Sequence, residues 1–329
     1  MKKVAINGMG RIGRAALKVI MDTPELEIVA VNDIVPADSI AYLLNYDTVY
    51  GRYEHRVEAG DGVLNVGDHN VKFYNERNPA DLPWAELGID VVIESTGIFT
   101  NREDAEKHIH AGAKTVVISG PTKSKDTPTV VHGVNTADGK TNIFSCASCT
   151  TNNISPVVEV LNRRVGIDKA IMTTIHAYTA TQSIVDLPAK DPRKGRAAAQ
   201  NMIPTSTGAA IATTKALPEM TGKFDGVAVR VPTPVGSISD MTFVTSRDVT
   251  AEEIIQILTE ESESPRYRGV LGVTTDPIVS SDIIQDPRAS VVDLGMVRVV
   301  DGNLLKVMTW YDNEWGFTNQ MIRQILEEA

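Results

Sequence analysis

Residues 6–14 read INGMGRIGR, and the spacing of their glycines decides how the first half of the chain is read. Gly8, Gly10 and Gly13 stand in G-x-G-x-x-G order. They follow the β-rich run KKVAIN (2–7) and lead into RAALKVIMDT (14–23), which has helical propensity with Ala16, Leu17, Ile20 and Met21 on one side. A strand that turns through glycines into a helix leaves the first helical N–H groups free for a pyrophosphate. Gly8 permits the tight turn, Gly10 removes a side chain that would block the phosphates, and Gly13 lets the helix lie close to the sheet. The triplet alone is weak, because a glycine turn used only for packing has the same pattern. Asp33 strengthens it. This acid stands 20 residues beyond Gly13, at the end of the second strand-like run LEIVAVND (26–33), where a carboxylate would hold an adenosine ribose. An acid there repels a 2′-phosphate, so NAD is expected rather than NADP.

The same alternation continues outward. IDVVIESTG (89–97), KTVVISGP (114–121) and TNIFSCAS (141–148) are short apolar runs, with a helical stretch, REDAEKHIHAGA (102–113), between the first two. Runs apolar on both faces and separated by helices indicate a parallel sheet covered on both sides, the doubly wound α/β pattern of a Rossmann-type NAD-binding domain. Beyond residue 167 the strand candidates lengthen: 169–179, 226–232, 237–246, 289–300 and 303–312. Helical stretches thin out to 205–217 and 251–263, which predicts an α+β domain with a mostly antiparallel sheet. Residues 313–329 read as a closing helix. The expected division is therefore 1–148, completed by 313–329, and 149–312. Residues 177–204 show no clean period, and a connection of that length is functional or disordered.

Composition narrows the function classes. The chain has 329 residues, 42% hydrophobic and 22% charged, which suits a water-soluble protein of two domains. No run approaches the ~20 apolar residues that cross a bilayer, so no membrane role is expected. The apolar run of MKKVAINGMG stops at Asn7, too soon for a signal peptide, and a cytoplasmic location follows as the default. A net charge of −10 argues against nucleic acid as the primary ligand.

The only two cysteines lie in SCASCTTN (145–152). They admit three readings: half a metal site, a disulfide, or one reactive thiol with a neighbour. Two thiolates supply half a tetrahedral zinc site, and none of the six histidines stands beside them, so no metal is expected. A disulfide is disfavoured in a reducing compartment. The third reading has more behind it. Cys149 follows a strand and precedes Ile154, Val157, Val158, Leu161 and Val165 on one helical face. A thiol at a helix start is acidified by the dipole, unless Pro156 kinks the helix or delays its start. His176, at the end of a strand in TTIHAYTATQ (173–182), could serve such a thiol as a base, although a lone histidine there is as often structural.

INGMGRIGR, ASCTTN, HAYTATQ, PTSTGAA (204–210), RVPTP (230–234) and WYDNEWGF (310–317) occur in the order and spacing of phosphorylating, NAD-dependent glyceraldehyde-3-phosphate dehydrogenases, and the chain resembles that family from the first strand to the last helix. The resemblance implies Cys149 as nucleophile and His176 as its base. It places Arg11 and Ile12 at the cofactor pyrophosphate, Asp33 at the ribose, Arg77 near the adenine, and Ser119 and Asn313 at the nicotinamide. Thr179, Thr181 and Arg230 match the site for the substrate's phosphate. Ser148, Thr150, Thr207 and Gly208 match the site for inorganic phosphate, with Lys194 in the register where the family commonly has arginine. Leu187 and Pro188 are similar to the NAD-selective members, in a segment that crosses a subunit interface of the family's homotetramer. The family's partners are glyceraldehyde 3-phosphate and inorganic phosphate.

Beside Lys194, three positions depart from the family pattern: Cys146 stands for the usual asparagine, Asn153 for a second cysteine, and Phe317 for tyrosine. Cys146 then reads as an incidental buried thiol, with a redox partner for Cys149 as the alternative. Lysine at 194 keeps a charge but loses the bidentate fork of arginine. The reaction expected is oxidation of the aldehyde through a Cys149 hemithioacetal and thioester that phosphate resolves. Two other readings stand beside it: an erythrose-4-phosphate dehydrogenase, and a non-catalytic NAD-binding interaction protein.

Overall fold

The computed structural model describes residues 1–329 apart from Asp138 and Lys140. The chain divides into two compact units. Residues 1–130, 136–147 and 321–329 form the first, and residues 131–135 and 148–320 the second.

The first unit is built on an eight-stranded sheet. Its order is Ile143–Ser145, Thr115–Ile118, Val91–Glu94, Lys2–Asn7, Leu26–Asn32, His69–Tyr74, Val63–Val66 and Val57–Gly60. The first six strands run parallel. Val91–Glu94 is buried at every position, as a strand covered on both faces must be. The helices Arg11–Met21 and Arg102–His110 follow where their patterns place them. The edge differs from the sequence reading, which assigned nothing to residues 57–74. Three strands there add an antiparallel meander to the parallel sheet. Their half-buried alternation and the glycines at 60, 62 and 67 hide them from a search for apolar runs.

The last residues of the chain belong to this unit. Within the closing helix, Trp315–Glu328, Met321, Ile322 and Ile325 are buried. Lys2 Nζ donates to the carbonyls of Ile325 and Leu326 at 3.3 Å, and Glu328 Oε1 accepts from the Ala137 N–H at 3.1 Å.

The second unit carries a sheet in the order Ile203–Ser206, Phe224–Val231, Ile167–Ala177, Ser237–Thr245, Leu304–Tyr311, Ser290–Asp293 and Leu271–Thr274, with Arg298–Val300 also on Leu304–Tyr311. Most pairs are antiparallel. Two are parallel, and one of these sets Ile167–Ala177 beside Phe224–Val231. Ser237–Thr245 alternates buried and half-buried residues, the period of a strand with one face on a core. The run 289–300, expected as one strand, is two. A single 3₁₀ turn, Leu294–Met296, separates them, and Arg298–Val300 folds back through Asp301 (φ 48°) and Gly302 (φ 77°). Two successive positive φ angles make the tight hairpin that an Asp-Gly pair favours. The run 205–217 likewise opens as strand Ile203–Ser206 before helix Ala209–Ala216.

Helix Cys149–Arg164 begins at the thiol and passes through Pro156 without a late start. A proline inside a helix costs about 3 kcal/mol. Two features offset it. Ser148 caps the helix, its Oγ accepting from the Thr151 N–H at 3.1 Å. Ile154, Val157, Val158 and Leu161 are fully buried in the unit's core, at ~1.5–3 kcal/mol for each such side chain.

Candidate active site

In the first unit, a crevice of about 320 Å³ opens at the carboxyl ends of the parallel strands. Gly8, Gly10, Asn32, Asp33, Arg77 and Thr96 are among its lining residues. Gly8 has φ +96°, and a Cβ there would lie 2.6 Å from the Thr96 nitrogen. A Cβ on Gly13 would lie 2.0 Å from the Gly8 carbonyl oxygen, so both positions exclude a side chain. Around Gly10 there is open space. Helix Arg11–Met21 has no side-chain cap and no acidic residue in its first turn, which leaves its N–H groups to an anion. Asp33 is pinned at the crevice: Oδ2 accepts from the Met9 N–H at 2.6 Å and Oδ1 from the Val35 N–H at 2.9 Å. Ionised carboxylate oxygens keep further lone pairs for ribose hydroxyls. Open space at Gly10, an uncapped helix start and a fixed carboxylate together fit a dinucleotide. The Arg11 guanidinium is turned to Asp47, so its backbone is what faces the turn. Ile12 and Ser119 are half-buried, and Arg77 is exposed.

Beneath the crevice runs a buried polar chain that sequence reasoning missed. Trp84 Nε1 donates to His108 Nδ1 at 3.0 Å, which leaves His108 Nε2 to donate to Glu94 Oε2, also at 3.0 Å. Asn7 Nδ2 donates to the same oxygen at 2.6 Å, and the Thr96 N–H and hydroxyl donate to Oε1. Four donors thus fill the acceptor sites of one carboxyl. Asn7 Oδ1 in turn accepts from Asn32, whose own side chain bonds both backbone groups of Glu76. The chain therefore joins Thr96 to the segment just before Arg77, and both residues line the crevice.

In the second unit, Cys149 Sγ lies 3.3 Å from His176 Nε2. Two separate elements set this distance: the start of helix Cys149–Arg164 and the end of strand Ile167–Ala177. Arg230 sits directly across the parallel pairing from His176, and its guanidinium is 2.6 Å from His176 Nδ1. Burial, and then the neighbouring Arg230 charge, bring His176 down to about 3. Cys149 keeps partial exposure, although its sulfur sits deep among protein atoms. Burial pushes this thiol up from its ordinary value, against the opposing pull of Arg230 and of Thr150. Desolvation of the sulfur thus opposes the acidifying effect expected of a helix start. Each group is penalised when ionised alone. A proton passed from Sγ to Nε2 keeps the pair neutral overall.

Tyr311 is a further site residue with no local signal in the sequence. Its buried hydroxyl bridges Thr150 Oγ1 at 2.9 Å and Thr174 Oγ1 at 2.8 Å, and its ring meets His176 edge-on. Asn313 Oδ1 accepts from the Gly236 N–H at 3.1 Å and the Ser237 hydroxyl at 3.0 Å, which fixes the amide and leaves Nδ2 as the presented donor. Thr179 and Thr181 pair through their hydroxyls at 2.9 Å. Ser148 Oγ pairs with Thr151 Oγ1 at 2.8 Å. Lys194, Thr207 and Gly208 are held by bonds of their own neighbourhoods: Lys194 N–H to the Asp191 carbonyl, Thr207 Oγ1 to the Ala209 N–H, and Gly208 O to the Ala212 N–H. Leu187 and Pro188 are exposed, with Ile184, Val185 and Met202 also exposed in the same segment. That segment is ordered, through bonds such as Leu187 N–H to the Gly195 carbonyl at 2.8 Å.

Cys146 is buried, and burial raises its thiol well above the ordinary value. Among the described residues one group, Asp22, Glu54 and His55, brings metal-type ligands together at the surface, and neither cysteine belongs to it.

The family model described as glyceraldehyde 3-phosphate dehydrogenase, NAD binding domain, matches residues 2–102, and the one described as its C-terminal domain matches residues 148–313. The chain belongs to the glyceraldehyde 3-phosphate dehydrogenase family. It is 48% identical over 324 residues to glyceraldehyde-3-phosphate dehydrogenase 2 of Streptomyces avermitilis, covering 97% of this chain and 96% of that protein. Glyceraldehyde-3-phosphate dehydrogenase 1 of Trichormus variabilis is 46% identical over 329 residues, 98% of this chain and 96% of the relative. The enzyme of that name from Zymomonas mobilis is 47% identical over 326 residues, 97% and 96%. The cofactor of this glyceraldehyde 3-phosphate dehydrogenase family member is NAD, and the crevice of the first unit is lined by residues within the matched NAD-binding domain.

Proposed function

We infer that this chain oxidises D-glyceraldehyde 3-phosphate with NAD and inorganic phosphate, giving 1,3-bisphosphoglycerate. The observation that carries this reading is the Cys149–His176 pair at 3.3 Å, with Arg230 against the other ring nitrogen, in a chain of this family. Residues 1–148, completed by 313–329, serve as the NAD-binding domain, and 149–312 as the catalytic one. Gly8, Gly10, Arg11, Ile12, Gly13, Asp33, Arg77, Ser119 and Asn313 hold the cofactor, and Leu187 and Pro188 with Asp33 select NAD. Thr179, Thr181 and Arg230 take the substrate's phosphate. Ser148, Thr150, Thr207, Gly208 and Lys194 take the attacking one.

The sulfur of Cys149 forms a bond to the aldehyde carbon while its proton passes through His176 Nε2 to the carbonyl oxygen, giving a neutral hemithioacetal. His176 then removes the hydroxyl proton, because an alkoxide expels hydride far more readily than an alcohol does. The bound cofactor's contribution is hydride acceptance at the nicotinamide ring, which leaves a thioester on Cys149. A phosphate oxygen bonds to the acyl carbon, the carbon–sulfur bond breaks, and His176 Nε2–H returns a proton to the departing sulfur. Splitting the oxidation into two steps conserves its energy in the thioester. Two anchored anions hold the reactants in line, and such positioning contributes ~7–11 kcal/mol in favourable cases.

A homotetramer fits the exposed apolar residues of the 184–202 segment, of which Ile184 is 85% exposed. Among the described residues no helix is long and apolar enough to cross a membrane. Neither cysteine forms a disulfide, which suits the cytoplasm.

The test is NADH formation from glyceraldehyde 3-phosphate and NAD, with and without inorganic phosphate, for the wild type and Cys149→Ser. Phosphate-dependent turnover that vanishes in the variant supports the thioester route. Turnover indifferent to phosphate overturns the phosphorylating reaction.

A further inference from the structure

His176 Nδ1 has two short contacts that cannot both be hydrogen bonds. It lies 2.7 Å from the Ala177 carbonyl oxygen and 2.6 Å from Arg230 NH1, while Arg230 NH1 lies 3.0 Å from that same carbonyl. A guanidinium only donates, and a carbonyl only accepts. If Nδ1 carries a hydrogen, it donates to Ala177 and the arginine points an N–H at an N–H. If Nδ1 is bare, it accepts from Arg230, and it has no hydrogen to donate to the Ala177 carbonyl, which can still accept from Arg230.

The two arrangements differ in what the opposite nitrogen can do. A neutral imidazole has one N–H. With Arg230 as the donor to Nδ1, that hydrogen sits on Nε2, which faces Cys149 Sγ at 3.3 Å as a donor and cannot take the thiol's proton. With Ala177 as the acceptor, the hydrogen sits on Nδ1, and Nε2 faces the sulfur with a free lone pair.

We propose that Arg230 gates the base: a phosphate monoester drawn onto the guanidinium pulls it off Nδ1, and the ring passes from the Nε2-protonated to the Nδ1-protonated tautomer. One proton leaves Nε2 and one reaches Nδ1, exchanged through water, and the ring stays neutral throughout. The proposal rests on the reading of Arg230 as an anion contact and of His176 as the base. The strand pairing that aligns His176 with Arg230 fixes their Cα positions, so the exchange needs only a swing of a half-buried side chain. The groups facing His176 are Cys149, Arg230 and the ring edge of Tyr311, whose hydroxyl burial keeps protonated. The direction of influence agrees, since the Arg230 charge lowers His176 and the Ala177 contact raises it. An aldehyde without a phosphate would then meet an enzyme whose base is still blocked, and would lose rate as well as affinity.

The ring ¹⁵N shifts of His176 in the full-length protein read the tautomer directly, with assignment by His176→Asn. The probe is glycerol 3-phosphate, a phosphate monoester without an aldehyde. The expected result is Nε2 protonation in the free wild type, Nδ1 protonation at saturating probe, and Nδ1 protonation in Arg230→Gln without probe. Arg230→Met gives the same reading if the glutamine variant does not fold. A free wild type already protonated at Nδ1, or a probe that binds by calorimetry without moving the tautomer, overturns the gate and leaves the anion contact standing. Failure of the probe to bind refutes the anion contact itself, and with it the trigger.

Discussion

The Tyr311 hydroxyl lies 2.9 Å from Thr150 Oγ1 and 2.8 Å from Thr174 Oγ1, so one side chain ties the first turn of the thiol's helix to the strand that ends in the histidine. Tyr311→Phe removes both bonds and leaves two buried threonine hydroxyls, Thr150 and Thr174, without this partner. Loss of ~1–3 kcal/mol of stability is expected, as for a buried group left unsatisfied. The catalytic distance also loses its brace, so kcat should fall several-fold with little change in KM. Urea unfolding and steady-state kinetics on the same preparation check both. Unchanged kcat would show that the two elements hold their spacing without the tyrosine.

Glu94 accepts four hydrogen bonds, and a glutamine in its place can accept only at one end. Glu94→Gln turns its amide nitrogen either on Thr96 or on Asn7 and His108, setting donor against donor. The crevice wall on that side shifts, and NAD affinity is expected to drop about tenfold, a ~1.4 kcal/mol loss. Titration calorimetry with NAD measures it. The alkylation rate of Cys149 in the absence of NAD should not change, which separates a local effect from general unfolding.

His176 is depressed to about 3 from an ordinary 6.5, and this has a sign. Below pH 6.5 the unfolded chain binds a proton at this residue and the native protein does not. Stability is therefore full above 6.5 and declines as pH falls towards 3, by up to ~1.4 kcal/mol per pH unit from this one group. His176→Asn should flatten that part of the profile. Denaturant midpoints of both proteins at pH 7, 6 and 5 test it, and parallel curves would mean that the histidine takes up a proton in the native state.

The Ser237 hydroxyl donates to Asn313 Oδ1 at 3.0 Å and thereby fixes which end of the amide is presented. Ser237→Ala leaves only the Gly236 N–H in that role. The amide gains a second orientation, and KM for NAD should rise about threefold, with KM for the aldehyde unaffected. A threefold change corresponds to ~0.6 kcal/mol, within the range of one neutral hydrogen bond. Equal effects on both substrates would place Asn313 elsewhere than at the cofactor.

What could be read from the chain was local in sequence. The glycine turn, Asp33 and the strand–helix alternation lie within a few dozen residues of one another, and the parallel part of the first sheet follows from them. The thiol and His176 are 27 residues apart on elements whose ends are easily placed. Tyr311 and Thr150 are 161 positions apart, and nothing in WYDNEWGF says which way the hydroxyl points. His108 is visible as a helix residue, but its partners come from a strand and from Trp84, so the pairing exists only in the fold. The desolvation of the thiol is hidden for the same reason. A helix start is visible in sequence, whereas the depth of the sulfur depends on what the rest of the chain packs over it.

Lys2 grips the carbonyls of Ile325 and Leu326, so the first strand and the final helix complete one unit. During translation, the amino-terminal half of that unit leaves the ribosome long before its closing piece has been made. The second unit can assemble from residues already synthesised, while the first must wait for residues 321–329. A chain truncated by its last ten residues would carry every group assigned to the chemistry and still lack a finished home for the cofactor.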